Sequence, residues 1–239
     1  MKTMDAGPMK PVMLFFEAGS FLMGSESGRD DEAPPHRVEL SPFGLARFAV
    51  TNREYGMFLK QTGAQPPPSW NMPRFDHPEQ PVVAVSWHDA VAYCEWLSRT
   101  LNEAYRLPTE AEREYACRAG SITAYPWGDS PQRDCGDYGK RWADGGPEIV
   151  GGPPNAFGLH NMVDNVHEWC ADWYGRDYYK SSPRLDPPGP PSGTRRVSRG
   201  GSWRHHVKVT RSAARSAIDP GFRYTDFGFR PALNIRREQ

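Results

Sequence analysis

Apolar and polar positions along the chain follow two periods, and three segments carry the longer one. Residues 86–101, SWHDAVAYCEWLSRTL, place Ala90, Val91, Cys94, Leu97 and Leu101 on one stripe, the spacing of a helix that turns one face to a core. Residues 51–60 (TNREYGMFLK) and 109–120 (TEAEREYACRAG) predict two more helices. Each of the three opens on a hydroxyl residue with an acid three positions later: Thr51 with Glu54, Ser86 with Asp89, Thr109 with Glu112. In such a capping box the hydroxyl accepts a hydrogen bond from a first-turn N–H that has no partner inside the helix. Gly120 supplies a stop for the third. The shorter period shows in residues 36–40, which alternate as a strand does. Residues 15–23, FFEAGSFLM, predict two short strand pieces around Gly19. The polar, acidic and proline-terminated stretch 25–35 predicts a loop.

After Gly120 both periods fade. Gly, Pro, Asp and Asn dominate, broken by Trp127, Trp142, Trp169, Trp173 and Trp203. This predicts a loop-rich half held by aromatics, with only short strands. An irregular stretch of such length inside a compact domain points to function or to bracing by a metal. Chain length and the absence of a repeat are consistent with one shared core, over about residues 12–234.

Composition narrows the function classes. The 29 basic and 29 acidic residues cancel, which removes the electrostatic case for nucleic acid or an anionic membrane. The first residues lack the apolar core of a signal peptide, and no run is long enough to span a bilayer, so a cytoplasmic protein is expected. Cys94, Cys117, Cys135 and Cys170 are widely spaced without a CxxC, which predicts reduced thiols, with Cys94 a small buried hydrophobe. No GxSxG, P-loop, HExxH or HxE…CxxC pattern is present, and Ser202 has no evident base beside it.

A set of motifs in fixed order is more specific. These are EAGSFLMGS (17–25), FAVTNREYGMFL (48–59), PVVAVSWHDAVAYCEWL (81–97) and YRLPTEAEREYACRAG (105–120). PWGD, PNAFGLHNMVDNVHEWCADWY, RVSRGGSW and GFRPAL follow. The set resembles the formylglycine-generating-enzyme (sulfatase-modifying factor) family over nearly the whole chain. The resemblance implies an α+β fold, a variant of the C-type-lectin fold. Regular structure would be sparse, with short antiparallel strands and peripheral helices. Thr109, Glu110, Arg118 and Arg230 would then be structural.

The resemblance also implies a copper chemistry that this chain does not carry. In the family, two cysteines just after GGS[WY] hold Cu(I), a soft ion that thiolates select. Here the segment reads GGSWRHHVKVTRSAARS. His205 stands at the first cysteine position, and the second falls within residues 208–210, so Cu(I) at a two-cysteine site is not expected. His167, in NVHEW where the family usually has an aromatic, and His205 are candidate ligands for a different transition metal. Adjacent His205 and His206 would point to opposite faces of a strand, so only one of them would reach such an ion. The plainer expectation is that these histidines line aromatic pockets or meet solvent.

A calcium site is the other expectation carried by the resemblance. Asn161 and Glu168 would give side-chain oxygens, and Asp164 and Val166 their carbonyls, a donor set of the kind calcium takes. Asp164 replaces the family's usual glycine. The alternative is an Asx-type turn with Glu168 paired to an arginine. A weaker second site would use Asp137 and Asp144.

The expected function is therefore a ligand- or partner-binding accessory protein with structural calcium and without formylglycine-generating activity. Its ligand, a peptide or small molecule, would meet Trp203, Arg204, His205, His206, Arg223 and Tyr224 between GGSW and GFR. The competing readings are a metal- and oxygen-dependent oxidoreductase, a retroelement-diversified binding protein and, ranked last, a true formylglycine generator with a rearranged site.

Overall fold

The computed structural model describes residues 9–131 and 145–235. All three predicted helices form: α1 (Asn52–Thr62), α2 (Trp87–Leu101) and α3 (Glu110–Arg118). Each carries a complete capping box, in which the cap hydroxyl accepts from the N3 backbone and the N3 carboxylate accepts from the cap backbone. Their C-termini are closed by left-handed residues at Gly63, Asn102 and Ala119, so the third helix stops one residue before the predicted glycine.

Ten short strands run between and around the helices: β1 (Met13–Phe16), β2 (Gly19–Met23), β3 (His36–Leu40), β4 (Phe43–Ala46), β5 (Tyr105–Arg106), β6 (His167–Trp173), β7 (Arg196–Arg199), β8 (Ser216–Ile218), β9 (Phe227–Gly228) and β10 (Ala232–Asn234). They form a four-stranded sheet in the order β1-β4-β10-β5, a β2-β3 hairpin pair, and a second four-stranded sheet in the order β8-β7-β6-β9. Pairing is antiparallel except between β6 and β9, which run parallel with His167 opposite Phe227. The two strand pieces expected around Gly19 appear as β1 and β2, with the break at residues 17–18 and Gly19 opening the second. Gly19 packs against the Tyr115 hydroxyl so closely that a Cβ there would collide with it.

Aromatic rings fill the first core. Tyr55, Phe58, Tyr93, Trp96 and Phe229 interlock with centroid separations of 5.1–6.3 Å, which joins α1, α2 and the segment before β10. Trp169 lies fully buried beside them and donates its indole N–H to the Val85 carbonyl at 3.0 Å. The apolar stripe of α2 is thus wider than its sequence pattern, since Tyr93 and Trp96 are buried along with Ala90, Cys94 and Leu97.

The third helix departs from the peripheral placement. Its sequence, EAEREYACR, is the most polar of the three, yet Glu110, Glu112, Arg113, Glu114 and Arg118 are all buried. The cost of desolvating these charges is offset by guanidinium–carboxylate pairing. Arg215 makes a two-pronged contact with Glu110 at 2.7 and 2.8 Å. Arg199 reaches both Glu110 (3.1 Å) and Glu114. Arg118 donates to Glu114 at 2.8 Å, and Glu114 also accepts the Gly24 N–H at 2.9 Å. The remaining guanidinium donors go to backbone carbonyls: Arg199 to Ser212 and Ala213, Arg215 to Asp31, Arg118 to Gly24. Burial acts to raise the Glu110 pKa, but Arg215 and Arg199 outweigh it and hold the carboxylate below its ordinary range.

Removing one partner from such a set strands the other charge, at a cost of roughly 3–5 kcal/mol. Arg199→Met should therefore lower the melting temperature by about 10 °C or more in a chain of this size. Loss of the exposed Lys10–Glu103 pair through Lys10→Ala should stay within about 1 kcal/mol. Calorimetry of the two variants checks the contrast, and equal effects would show that the buried network carries no special share of stability.

Candidate functional site

The segment between GGSW and GFR folds back on the start of β6. Gly200 and Gly201 both adopt left-handed backbone, with φ of 97° and 70°. A side chain at Gly201 would run into Thr210, and one at Gly200 into the Arg113 guanidinium, so both glycines serve close approach as well as the turn. After this turn Trp203 plunges into a small apolar cluster with Ala49, Phe75, Val83 and Val166. Its indole N–H donates to the Thr225 carbonyl at 3.2 Å. Trp203 was expected on the ligand face; it is instead 1% exposed and supports the turn from below.

Of the other expected ligand-face residues, Arg204 is half-buried, lies over the Trp203 ring and donates to the Thr225 hydroxyl at 2.8 Å. Arg223 reaches across to Asp89 of the α2 capping box at 2.9 Å. His206 and Tyr224 are exposed, and Phe222, absent from the expected set, is exposed at 50% and packs edge-on against Tyr224. Two large exposed rings beside one another on a loop are the strongest surface feature of this segment.

Beneath that rim three ligand-type side chains converge. His167 opens β6, His205 follows the GGSW turn, and Asp226 immediately precedes β9. The Nε2 of His167 lies 3.0 Å from Nδ1 of His205. The ligand atoms of all three residues lie within 4.8 Å of one another. Burial is the main reason the His167 imidazole is neutral, with His205 and Arg113 adding to it, and its pKa falls to about 3. Burial lowers His205 as well, against the pull of Asp226. Of the two adjacent histidines, His205 faces His167 and His206 is exposed; Asp226 was not among the expected site residues. No sequence spacing signals its place here, because the parallel β6–β9 pairing brings it in.

The NMVDNVHE loop is organised differently from the calcium site expected of it. Glu168 is fully buried, and both its carboxylate oxygens are taken by guanidinium groups: Arg113 at 2.7 Å, and Arg230 at 2.8, 3.0 and 3.2 Å. Arg113 donates in addition to the Met162 carbonyl of the same loop at 2.9 Å. Burial works against the Glu168 charge, but Arg113 and then Arg230 overcome it and hold the pKa below the ordinary range. The Asn161 side-chain oxygen accepts the Gly151 N–H at 3.1 Å, its amide donates to Asp164 at 3.2 Å, and the Asp164 carbonyl accepts the Val166 N–H at 2.9 Å. Asn161 and Asn165, not Asp164, take the left-handed conformations of the turn. A divalent cation placed on Glu168 would face two permanently charged arginines. The Asn161, Asp164, Val166 and Glu168 set therefore offers calcium a carboxylate already paired with two guanidinium groups. The weaker calcium candidates Asp137 and Asp144 lie outside the described residues.

Cys94, Cys117 and Cys170 are free thiols buried in the core, and burial is the leading cause that raises each thiol's pKa. Burial of this kind leaves a thiol inert as a metal ligand or nucleophile. A separate cleft of about 350 Å³ is lined by Trp127, Ile149, Pro153, Leu159, Met162 and Asp164, among others. No helix among the described residues is long and apolar enough to cross a membrane.

Comparison with known proteins gives a consistent result. The family model for the sulfatase-modifying factor enzyme 1-like domain matches residues 2–235. The chain is 35% identical to the formylglycine-generating enzyme of Thermomonospora curvata across 93% of each protein. It is 34% identical to the serine/threonine-protein kinase pkn1 of Chlamydia pneumoniae over 95% of its own length, but spans only 39% of that protein. Among solved structures, PvdO from Pseudomonas aeruginosa aligns with a TM-score of 0.83 at 32% identity, covering 96% of this chain and 97% of that one.

The geometry of the NMVDNVHE loop predicts calcium independence. The melting temperature should be the same in calcium and in chelator, whereas Arg113→Met, which strips one guanidinium from Glu168, should lower it by about 10 °C. A calcium-dependent rise in the wild-type protein would show that the ion displaces the arginines.

Proposed function

Because this chain belongs to the sulfatase-modifying factor family, that of the formylglycine-generating enzymes, we propose that it is an accessory member. In this reading it keeps the scaffold to bind a ligand or partner and does not oxidise cysteine to formylglycine. One observation carries the reading. The GGSW segment, where the family's two thiolates would sit, presents His205 and Thr210, and the three described cysteines are locked in the core. Linear Cu(I) held by two thiolates has no counterpart here: a hydroxyl is a hard, weak ligand for that ion, and one imidazole leaves it under-coordinated.

Binding is supported by what the same segment turns outward. Phe222 and Tyr224, 50% and 44% exposed, stand beside His206 and Arg223 on loops held from below by Trp203 and Thr225. Aromatic rings on a firmly supported loop supply large contact area at small entropic cost. The ligand class that suits this face is a peptide or small molecule with an apolar group and a polar or acidic one. The net charge of zero gives no support to nucleic acid.

Two measurements test the proposal. A sulfatase-motif peptide incubated with the protein, Cu(I) and oxygen should keep its thiol by mass spectrometry; aldehyde formation that depends on both protein and copper would overturn the first half. A random peptide library panned on the wild-type protein should yield sequences that the Phe222→Ala/Tyr224→Ala double variant fails to retain, with its melting temperature unchanged. Equal retention by both proteins would place binding elsewhere.

A further inference from the structure

We infer that His167, His205 and Asp226 form a binding site for a divalent transition-metal ion of borderline hardness. Each residue is fixed by the fold. The backbone N–H of His167 donates to the Asp226 carbonyl at 2.8 Å, so the parallel strands set the distance between these two. The Ser202 hydroxyl donates to Asp226 Oδ2 at 2.9 Å and its carbonyl accepts the His205 N–H at 2.9 Å, which ties the GGSW turn to the carboxylate. The His167 ring is stacked on Phe227, with centroids 4.7 Å apart.

A structural role alone does not account for this ring. Stacking on Phe227 would be served equally by phenylalanine. Instead a 5% exposed imidazole is present, and it turns its Nε2 toward His205. Its only described polar side-chain contact is Nε2 against Nδ1 of a second imidazole. Neutral imidazole is the form that ligates metal. The 3.0 Å between the two nitrogens is also the separation of two ligands that share one ion at about 2.1 Å each. The carboxylate lies within 4.8 Å and completes a set of two histidines and one acid on one side of the ion. Such a set leaves further coordination positions open to water or a bound molecule.

The donor chemistry selects the ion. Two nitrogens and one oxygen suit Zn(II), Co(II), Ni(II), Fe(II) or Cu(II), and suit neither Cu(I), which takes thiolates, nor calcium, which takes oxygens. The Arg204 guanidinium, 3.8 Å from Asp226, competes for the same carboxylate and tempers the affinity. The site lies under the Phe222–Tyr224 rim but is independent of whether that rim captures a peptide: Tyr224 touches Phe227, the ring on which His167 is stacked.

Chelator-treated full-length chain titrated with Co(II) provides the test, because ligation by protein produces visible d–d absorption that aquated Co(II) shows only weakly. The wild-type chain is expected to bind one equivalent, with the band bleached by Zn(II). Ligands matter at least as much as the groups that orient them, so His205→Ala and Asp226→Asn should each weaken binding by about tenfold or more. His206→Ala, next in sequence but outside the cluster, should retain it. Melting curves of the metal-free variants establish that they are folded, and His205, being only half-buried, is the informative substitution if Asp226→Asn fails to fold. No visible band in the wild-type protein, equal affinity in His205→Ala, or an equal loss in His206→Ala would overturn the assignment.

Discussion

Glu110, Glu114 and Glu168 have no water to solvate them, and the rest of the structure is arranged around that constraint. Three carboxylates at the centre of a chain this small would be untenable without cations held against them. Arg215, Arg199, Arg118, Arg113 and Arg230 supply the cations, from α3 itself, β7 and the segments flanking β8 and β10. Each guanidinium has five donors, and those left over after the carboxylate is satisfied go to loop carbonyls at Gly24, Asp31, Met162, Ser212 and His160. The charges therefore pin irregular backbone that no sheet ladder reaches. This is how a half poor in regular structure stays ordered. Bracing by a metal was the sequence-based explanation; in the NMVDNVHE loop a side-chain cation stands where the metal was expected.

Local signals in the sequence were legible because their physics is local. A capping box involves residues three apart, and all three form. The stripe of α2 needs only helical geometry, and its members Ala90, Cys94 and Leu97 are buried. The order of motifs carried the fold. What was not legible depends on partners distant in sequence. Nothing within the EAEREYACR helix shows which partners its charges take, since Arg199 and Arg215 arrive about a hundred residues later. Trp203 reads as a rim aromatic because exposure at a turn is decided by what lies beneath it. Asp226 reads as one polar residue among several until β9 pairs in parallel with β6. In the NMVDNVHE loop, matching ligand positions one by one does not reveal the charge those positions face, which Arg113 and Arg230 set from distant segments.

These two classes of polar residue explain how the fold tolerates a change of chemistry. The arginine–carboxylate set and the aromatic core lie around α3, α2 and the start of β6, and they hold the GGSW turn through Gly200, whose missing side chain admits Arg113. Phe222 and Tyr224 are exposed, and Arg204 and Arg223 pair with Asp226 and Asp89, outside both sets. Substitutions there are unconstrained by the buried charges. A scaffold whose order does not depend on its site can exchange one set of ligands for another without refolding.

The exchange of ligands inferred here follows the same logic. Thiolate carries its charge to the metal and prefers a soft ion with few ligands, so a two-thiolate site needs little from the surrounding protein. Imidazole is neutral and borderline, and two of them do not compensate a divalent ion; a carboxylate has to be drawn in. Ser202, within the GGSW turn itself, holds Asp226 beside the turn by donating to one of its oxygens, and Arg204 lies 3.8 Å from the other. The glycine pair, the serine and the tryptophan of that motif thus fulfil one purpose in two chemistries: they set the backbone of the turn so that the residue three positions after Ser202 points at the first residue of β6. In the family the residue at that position is a thiolate. In this chain it is His205, which faces His167 at 3.0 Å and lies beside Asp226.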